Sequence, residues 1–167
     1  MTDIRIRPAA PADGAQLASI YSHYVLHTTV TFEEEAVTGE AMGHRVMEAS
    51  NVNLPFLVAE SGSTLFGFAY ASRWKGRCAY RFSAETTVYI RPTDVGRGLG
   101  SALYGSLLPI LRTGGIHTAI GGIALPNEAS VALHEKFGFR ETAVFREVGY
   151  KCNRWVDVGY WQLIISA

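Results

Sequence analysis

Apolar positions along this chain switch between two spacings, which predicts strands and helices in alternation. The segment Ile4–Ile6 alternates isoleucine with arginine and is stopped by Pro8, a pattern typical of a short strand. Apolar residues follow at helical spacing over Pro11–His27, and the β-branched run Thr28–Phe32 breaks that period. A second helical pattern covers Gly39–Ala49. The chain therefore opens with a strand and two helices.

The middle of the chain reads as a hairpin followed by further strands and helices. Phe56–Glu60 and Leu65–Ser72 are strand-like runs separated by SGST, with Gly67 a candidate for a bulge, and the strand containing Val88 is expected beside them. The remaining predicted elements are a helix starting near Leu99, a strand over His117–Ala124, a helix from about Glu128 to Phe137 with Asn127 as cap and Gly138 as stop, and a terminal strand over Asp157–Ile165. Pro109 is expected to kink the Leu99 helix or end it early. With no linker or repeat, residues 1–167 read as one layered α/β domain.

The run VYIRPTDVGRGLGS, Val88–Ser101, has the composition of a phosphate-binding turn. A β-branched strand passes through a turn into Gly96, Gly98 and Gly100, which leave backbone amides uncovered. Leucines recur from Leu99 at helical spacing, so a helix is expected to start among the glycines and to present its positive end to an anion. The spacing matches neither a Walker loop nor the GxGxxG of a dinucleotide fold. A merely flexible glycine loop is the alternative.

Composition and charge narrow the class of partner. The chain has 167 residues, 48% of them hydrophobic, which suits one domain with a full core. Its 15 basic and 15 acidic side chains cancel and no basic run occurs, so neither a nucleic acid nor a membrane is expected as a partner. Cys78 and Cys152 form no CxxC motif or disulfide framework, and no signal-peptide core or spanning apolar run is present. We expect a cytoplasmic protein with a small-molecule substrate and no metal.

Several motifs in order resemble one known family. A strand that enters a glycine-rich helix, followed by an asparagine and a helix ending in FGF, is similar to the GCN5-related N-acetyltransferases. The runs AETTVYI, GLGSALY, LPNEASVALHEKFGF and RWVDVGYWQL, with HYVLHTTVTF and WKGRCAY, resemble the phosphinothricin N-acetyltransferases over nearly the whole chain. The resemblance implies the GNAT fold, a single α/β (α+β) domain. In that fold helices flank a mixed, mostly antiparallel sheet whose central strands splay at the acetyl-CoA site.

The resemblance also implies a cofactor site. The glycine turn and helix start would hold the pyrophosphate of acetyl-CoA, and the strand before them would pair with the pantetheine arm and offer an amide to the thioester oxygen. The cofactor-binding residues implied are Val88, Tyr89, Ile90, Gly96, Arg97, Gly98, Leu99, Gly100, Ser101 and Asn127. Asn127 is equally compatible with a plain helix cap. Val95 stands where the family usually has Gln or Arg, so one phosphate contact is expected to be missing. Arg97 either replaces it in part or is an ordinary surface arginine.

Two side chains are expected to move protons. An amine attacks a thioester only when unprotonated, so a base is needed. Glu85 precedes the cofactor strand in an apolar and hydroxylic run, where partial burial would raise its pKa, and the resemblance assigns this role to its counterpart. The alternative is an edge-strand glutamate that faces water. His134 takes the place of a tyrosine common in the family and is expected to donate or relay a proton to the departing sulfur, unless it is a structural histidine.

The acceptor site needs a cation for a carboxylate and donors for phosphinyl or sulfone-like oxygens. Lys75, Arg77 and Arg81 cluster in WKGRCAYR, and a planar guanidinium suits a bidentate carboxylate contact, although a solvated loop is the alternative. Phe32 is added by the resemblance. The expected substrate-binding residues are Phe32, Trp74, Lys75, Gly76, Arg77, Tyr80, Arg81, Glu85, Thr86 and Thr87.

These features predict an acetyl-CoA-dependent N-acetyltransferase that transfers the acetyl group directly to a small L-amino acid, such as phosphinothricin or methionine sulfoximine or sulfone. Neither cysteine has a recognisable nucleophile setting, so a covalent acetyl-cysteine step has no support. The resemblance implies a homodimer, to which the run GYWQLII could contribute, although the same run reads as a core strand. A protein or peptide N-acetyltransferase and a non-catalytic acyl-CoA-binding module are the alternatives.

Overall fold

A seven-stranded sheet forms the centre of the molecule in a computed structural model that describes residues 4–165. The strands are β1 (Arg5–Pro8), β2 (Phe56–Ser61), β3 (Thr64–Arg73), β4 (Ser83–Ile90), β5 (Thr118–Ala124), β6 (Arg140–Lys151) and β7 (Arg154–Ile164). The helices are α1 (Gly14–His27), α2 (Gly39–Asn51), α3 (Leu99–Thr113) and α4 (Glu128–Lys136). The strand order is β1-β2-β3-β4-β5-β7-β6, and each neighbouring pair is antiparallel except β4 with β5. The predicted mixed, mostly antiparallel sheet is confirmed.

Helices cover both faces of the sheet, and each face has its own apolar core. On one face α1 and α2 pack against β2 and β3, where Leu17, Val25 and Phe68 are at most 1% exposed. On the other face α3 contributes Leu103 and Leu107, both fully buried, against β2, β3 and β4. The central strands are therefore fixed from both sides, which gives the site a rigid support.

Most predicted elements are confirmed with small shifts at their ends. The bulge expected at Gly67 falls directly beside it, where the register between β2 and β3 shifts. The strand expected from Asp157 begins earlier, at Arg154. The sequence does not predict β6, because this strand lies at the edge of the sheet and most of its residues are exposed, which leaves no clear apolar alternation. The first three and last two residues of the predicted domain 1–167 lie outside the described residues.

The prediction that Pro109 ends α3 early is wrong, since the helix continues to Thr113. Proline removes the hydrogen bond to the carbonyl of Gly105. Both residues are exposed, so water can solvate that carbonyl, while the buried Leu107 and Leu111 hold the helix against the sheet on its other side. Packing therefore offsets the lost bond.

The sheet opens between β4 and β5. These strands pair in parallel through Ser83–Thr118, Ala84–Ala119 and Glu85–Ile120. Beyond Glu85, β4 stays paired with β3 as far as Ile90, and β5 stays paired with β7 as far as Ala124. The strands diverge here, and this confirms the predicted splay.

Candidate active site

The gap between β4 and β5 widens into a cavity of about 570 Å³. Its walls are the open edge of β4, the end of β5, the glycine turn and one side of α4. The predicted cofactor residues that line it are Val88, Tyr89, Ile90, Gly96, Gly98, Gly100, Ser101 and Asn127. Arg97 and Leu99 are not among the lining residues, and Leu99 is buried in the core. Most of the predicted cofactor set thus meets in one place.

The glycine turn at one end of the cavity is built to receive an anion. Gly96 and Gly98 both have φ of 78°, a conformation that favours glycine, and neither would meet another atom through an added Cβ. Gly98 caps α3, and its carbonyl accepts the amide of Ala102 at 3.0 Å. The amides of residues 99–101 precede that bond and have no partner within the helix. The first turn of α3 carries no acidic residue, so a diphosphate fits this helix start.

Arg97 is held by a buried carboxylate next to the turn. Asp94 is 4% exposed and accepts hydrogen bonds from Arg91 Nε, from Thr93 Oγ1 at 2.9 Å and from an Arg97 guanidinium nitrogen. These contacts, that of Arg91 foremost, lower the pKa of Asp94 to about 2. Both guanidinium groups also lie over the ring of Phe66, 4.6 and 5.6 Å from its centroid. Arg97 therefore ties the turn to the core, and its role as a phosphate ligand stays a prediction.

Glu85 lies half-buried at the point where β4 and β5 separate. Burial raises the pKa of its carboxyl, and the charge of Lys75 opposes that rise. Within residues 4–165 no group hydrogen-bonds the carboxylate. A Cβ on Gly122 would lie 3.3 Å from Glu85 Oε1 and 3.2 Å from the ring of Tyr160, so glycine here leaves room for both side chains. An unpaired carboxylate with a raised pKa is suited to accept a proton.

His134 belongs to a buried hydrogen-bond chain along the cavity wall. Its Nδ1 lies 2.7 Å from the carbonyl oxygen of Ser130, so Nδ1 carries the proton and donates it. Its Nε2 lies 3.0 Å from the hydroxyl of Tyr104, which is 3.3 Å from Thr86 Oγ1. Burial lowers the pKa of His134 and raises that of Tyr104. A Cβ on Gly121 would lie 2.3 Å from Nε2, so glycine at this position leaves room for the imidazole ring. Because burial lowers the pKa of His134 and Nδ1 carries the proton, the imidazole is neutral and its Nε2 accepts a hydrogen bond.

Part of the predicted acceptor site lies around the Glu85 end of the cavity. Thr86 and Thr87 line the cavity itself. Trp74 packs edge-on against Tyr160 at 5.6 Å, and Lys75 Nζ lies 4.8 Å from the centroid of the Trp74 ring. These contacts place an aromatic wall and a cation beside the carboxylate.

The other predicted acceptor residues lie farther out. Phe32 covers Gly149 of β6, where an added Cβ would lie 2.2 Å from Phe32 Cζ. Arg81 bonds the carbonyl of Cys78 at 3.2 Å and stacks 4.4 Å from the ring of Phe82. Of the ten predicted acceptor residues, Thr86 and Thr87 alone line the cavity. The structure does not bring the other eight to its lining, and these are Phe32, Trp74, Lys75, Gly76, Arg77, Tyr80, Arg81 and Glu85. Gly76, Arg77, Tyr80 and Arg81 are all exposed.

Sequence reasoning missed three residues at or beside the cavity. Tyr104 follows the apolar stripe of α3 and reads as core, although a buried tyrosine hydroxyl signals a polar partner. Tyr160 reads as an ordinary position of a terminal strand. Lys136 lines the cavity from the last turn of α4, where a lysine reads as a helix-end charge.

The part of the chain between residues 4 and 165 contains no group of three or more His, Cys, Asp or Glu residues that could hold a metal ion. Cys78 and Cys152 are both exposed free thiols. No helix in that part of the chain is long and apolar enough to cross a membrane.

Known proteins share this sequence pattern and architecture. A family model described as an acetyltransferase (GNAT) domain matches residues 6–159. The chain is 38% identical over 163 residues to a phosphinothricin N-acetyltransferase of Streptomyces coelicolor, covering 96% of this chain and 95% of that protein. It is 34% identical over 158 residues to an L-methionine sulfoximine/L-methionine sulfone acetyltransferase of Salmonella typhimurium, covering 95% of this chain and 92% of that protein. A GNAT superfamily phosphinothricin acetyltransferase from Sinorhizobium meliloti, solved in complex with AcCoA, superposes with a TM-score of 0.93 at 32% identity, covering 98% and 89% of the two chains.

Proposed function

Because this chain belongs to the GNAT acetyltransferase family and is an acetyl-CoA-dependent N-acetyltransferase, we propose that its β4–β5 cavity is where small L-amino acids are acetylated. The favoured acceptors are phosphinothricin and methionine sulfoximine or sulfone, the compounds named for two of its relatives. One observation carries the proposal: an anion-binding helix start lies at one end of the cavity, and an unpaired carboxylate lies at the fork of the strands from which the cavity opens.

The cofactor fits this cavity through three features. The amides at the start of α3 would hold the pyrophosphate, and the open edge of β4 from Val88 to Ile90 would pair with the pantetheine arm. Asn127 caps α4 by accepting the Ser130 amide at 3.2 Å, and its side-chain nitrogen can still donate to the cofactor. Acetyl-CoA, when bound, supplies the thioester carbonyl that the amine attacks.

The chain's own residues would then handle the protons. Glu85 takes a proton from the acceptor's ammonium group, which frees the nitrogen lone pair for attack. A β4 amide stabilises the negative charge that develops on the carbonyl oxygen. His134 is neutral at rest, so it has no spare proton to donate. Its Nε2 instead holds the Tyr104 hydroxyl, which would give its proton to the departing sulfur and take one from the attacking nitrogen.

The acceptor's carboxylate would bind a cation of the WKGRCAYR loop. Lys75 is the member whose charge acts on Glu85, and Arg77 and Arg81 follow on the exposed part of the loop. Phe32, which lies farther out against Gly149, would close the acceptor site from outside the cavity. This arrangement leaves the amino group facing Glu85.

An assay of CoA thiol release from acetyl-CoA tests the proposal. We expect turnover with L-phosphinothricin, L-methionine sulfoximine and L-methionine sulfone, and less with ordinary amino acids. Release with a lysine peptide alone would support a protein acetyltransferase. Binding of acetyl-CoA without release by any amine would support a non-catalytic module.

We also propose a homodimer in the cytoplasm. The run GYWQLII does not provide the contact surface as a whole, since Trp161 is 3% exposed and lies in the core. The hairpin of β6 and β7 instead exposes Phe145, Val148, Tyr150 and Trp155, each more than half exposed, and such clusters favour an interface. Two exposed free thiols suit a reducing compartment. Light scattering in solution would return a monomer mass if the dimer proposal is wrong.

A further inference from the structure

We propose that Lys136 binds the diphosphate of acetyl-CoA in this chain and takes the place of the phosphate contact that is missing at Val95. The inference rests on the proposed cofactor site.

Lys136 reaches the helix start through helix packing. Gly100, in the first turn of α3, lies against α4, and a Cβ there would be 3.2 Å from Leu133 Cδ2. Lys136 follows Leu133 by almost one turn of α4, so its side chain extends over the same spot. Its Nζ donates a hydrogen bond to Ser101 Oγ at 2.9 Å. The ammonium group therefore lies at the amides that would receive the diphosphate.

The other candidate cations are already engaged. Arg91 and Arg97 both bond Asp94, whose charge offsets one of theirs, and both stack on Phe66. Val95 offers an apolar side chain that is 60% exposed. Lys136 has no ion pair within the described residues and is the only cavity-lining residue with a side chain that is charged at neutral pH. Arg91, Arg97 and Asp94 together keep one positive charge beside the turn, and Lys136 adds an unpaired one on the cavity lining itself.

The geometry allows an ammonium and a hydroxyl to act together on one anion. Lysine has three N–H donors, and one of them is used on Ser101. The remaining donors can bond a phosphate oxygen while the Ser101 hydroxyl, whose oxygen accepts from Lys136, turns its own hydrogen to the same group. Charge-assisted hydrogen bonds of this kind are stronger than neutral ones.

Binding measurements on three variants test this inference. Lys136→Met removes the charge, and Lys136→Arg keeps it. Arg112→Met is the matched control, because it removes an exposed cation from the last turn of α3, at the opposite end of that helix. For an exposed charged contact we expect Lys136→Met to raise the Kd of CoA about tenfold and to flatten its dependence on salt. Lys136→Arg and Arg112→Met should stay within about twofold of the unchanged protein.

Donor analogues identify the part of the cofactor that Lys136 contacts. Acetyl-dephospho-CoA lacks the 3′-phosphate, and S-acetylpantetheine lacks every phosphate. We expect the Lys136→Met penalty in KM to persist with the first and to vanish with the second. If the KM penalty with S-acetylpantetheine equals that with acetyl-CoA, Lys136 has a structural role. If the penalty vanishes with acetyl-dephospho-CoA, Lys136 contacts the 3′-phosphate instead. Either result, or an unchanged Kd for CoA, overturns the inference while leaving the proposed function intact. Failure of the unchanged protein to bind CoA would overturn both.

Discussion

Replacing Tyr104 with phenylalanine tests the buried hydrogen-bond chain that holds His134. The tyrosine is fully buried, and its hydroxyl lies 3.0 Å from His134 Nε2 and 3.3 Å from Thr86 Oγ1. Phenylalanine keeps the ring but leaves Nε2 without a donor among residues 4–165. A buried polar atom without its partner costs about 1–3 kcal/mol. We therefore expect a loss of about 2 kcal/mol in the free energy of unfolding, and a Tm lower by about 4–8 °C for a chain of this length.

The same change should slow the reaction without weakening cofactor binding. The Tyr104 hydroxyl stabilises neutral His134 and forms part of the proposed relay, so we expect kcat to fall at least about tenfold. The Kd of CoA should stay within about twofold, because the glycine turn is untouched. Urea unfolding, calorimetry and steady-state kinetics measure these quantities. Thr86→Val is the matched control, since it removes only the longer bond and should cost less stability. A Tyr104→Phe protein with unchanged Tm and kcat would refute the reasoning.

Two further substitutions probe the other end of the cavity. Glu85→Gln should lower kcat about 100- to 1000-fold and abolish the acid limb of the kcat/KM profile, which the raised pKa of Glu85 places above the usual glutamate range. Because the folded state holds this proton more tightly than the unfolded state does, ionised Glu85 costs stability as the pH rises. Glu85→Gln should therefore resist urea better than the unchanged protein above the raised pKa of Glu85 but not in acid below the usual glutamate range, and parallel pH profiles would contradict this. Gly149→Ala places a Cβ 2.2 Å from Phe32 Cζ, so the ring must shift. Gly149→Ala should lower the free energy of unfolding by about 1–3 kcal/mol. It should also raise the KM of the amine but not that of acetyl-CoA. Gly105→Ala, whose Cβ meets nothing, is its control, and equal behaviour of the two alanine variants would count against the placement of Phe32.

Elements were predictable where apolar spacing coincides with burial. The leucines of α3 are buried on one side and mark the helix correctly, even across Pro109. The same rule misses β6, because an edge strand that stays largely exposed needs no apolar alternation.

The site was predictable where it is local in the chain. The glycine turn and the strand before it are continuous segments, so their residues could be named together. The Tyr104–His134 and Lys136–Ser101 contacts join residues 30 and 35 positions apart, and they depend on how α3 and α4 pack. No local pattern encodes that packing, nor does one fix the position of the exposed loop that carries Arg77.

Because β4 and β5 pair over a short stretch only, the stability of this enzyme depends on the concentration of the ligand that binds between them. Three residue pairs join β4 directly to β5, and beyond them the edge of β4 that is not paired with β3 faces the cavity. A ligand that bridges β4 and β5 binds the folded chain and not the unfolded one. It therefore adds about 2.7 kcal/mol to the free energy of unfolding when its concentration is a hundred times its Kd. Proteases act on opened chains, so the protein would be degraded faster where this ligand is scarce. The concentrations of acetyl-CoA and CoA would thus govern the lifetime of the catalyst, and that of acetyl-CoA would also govern its rate of turnover.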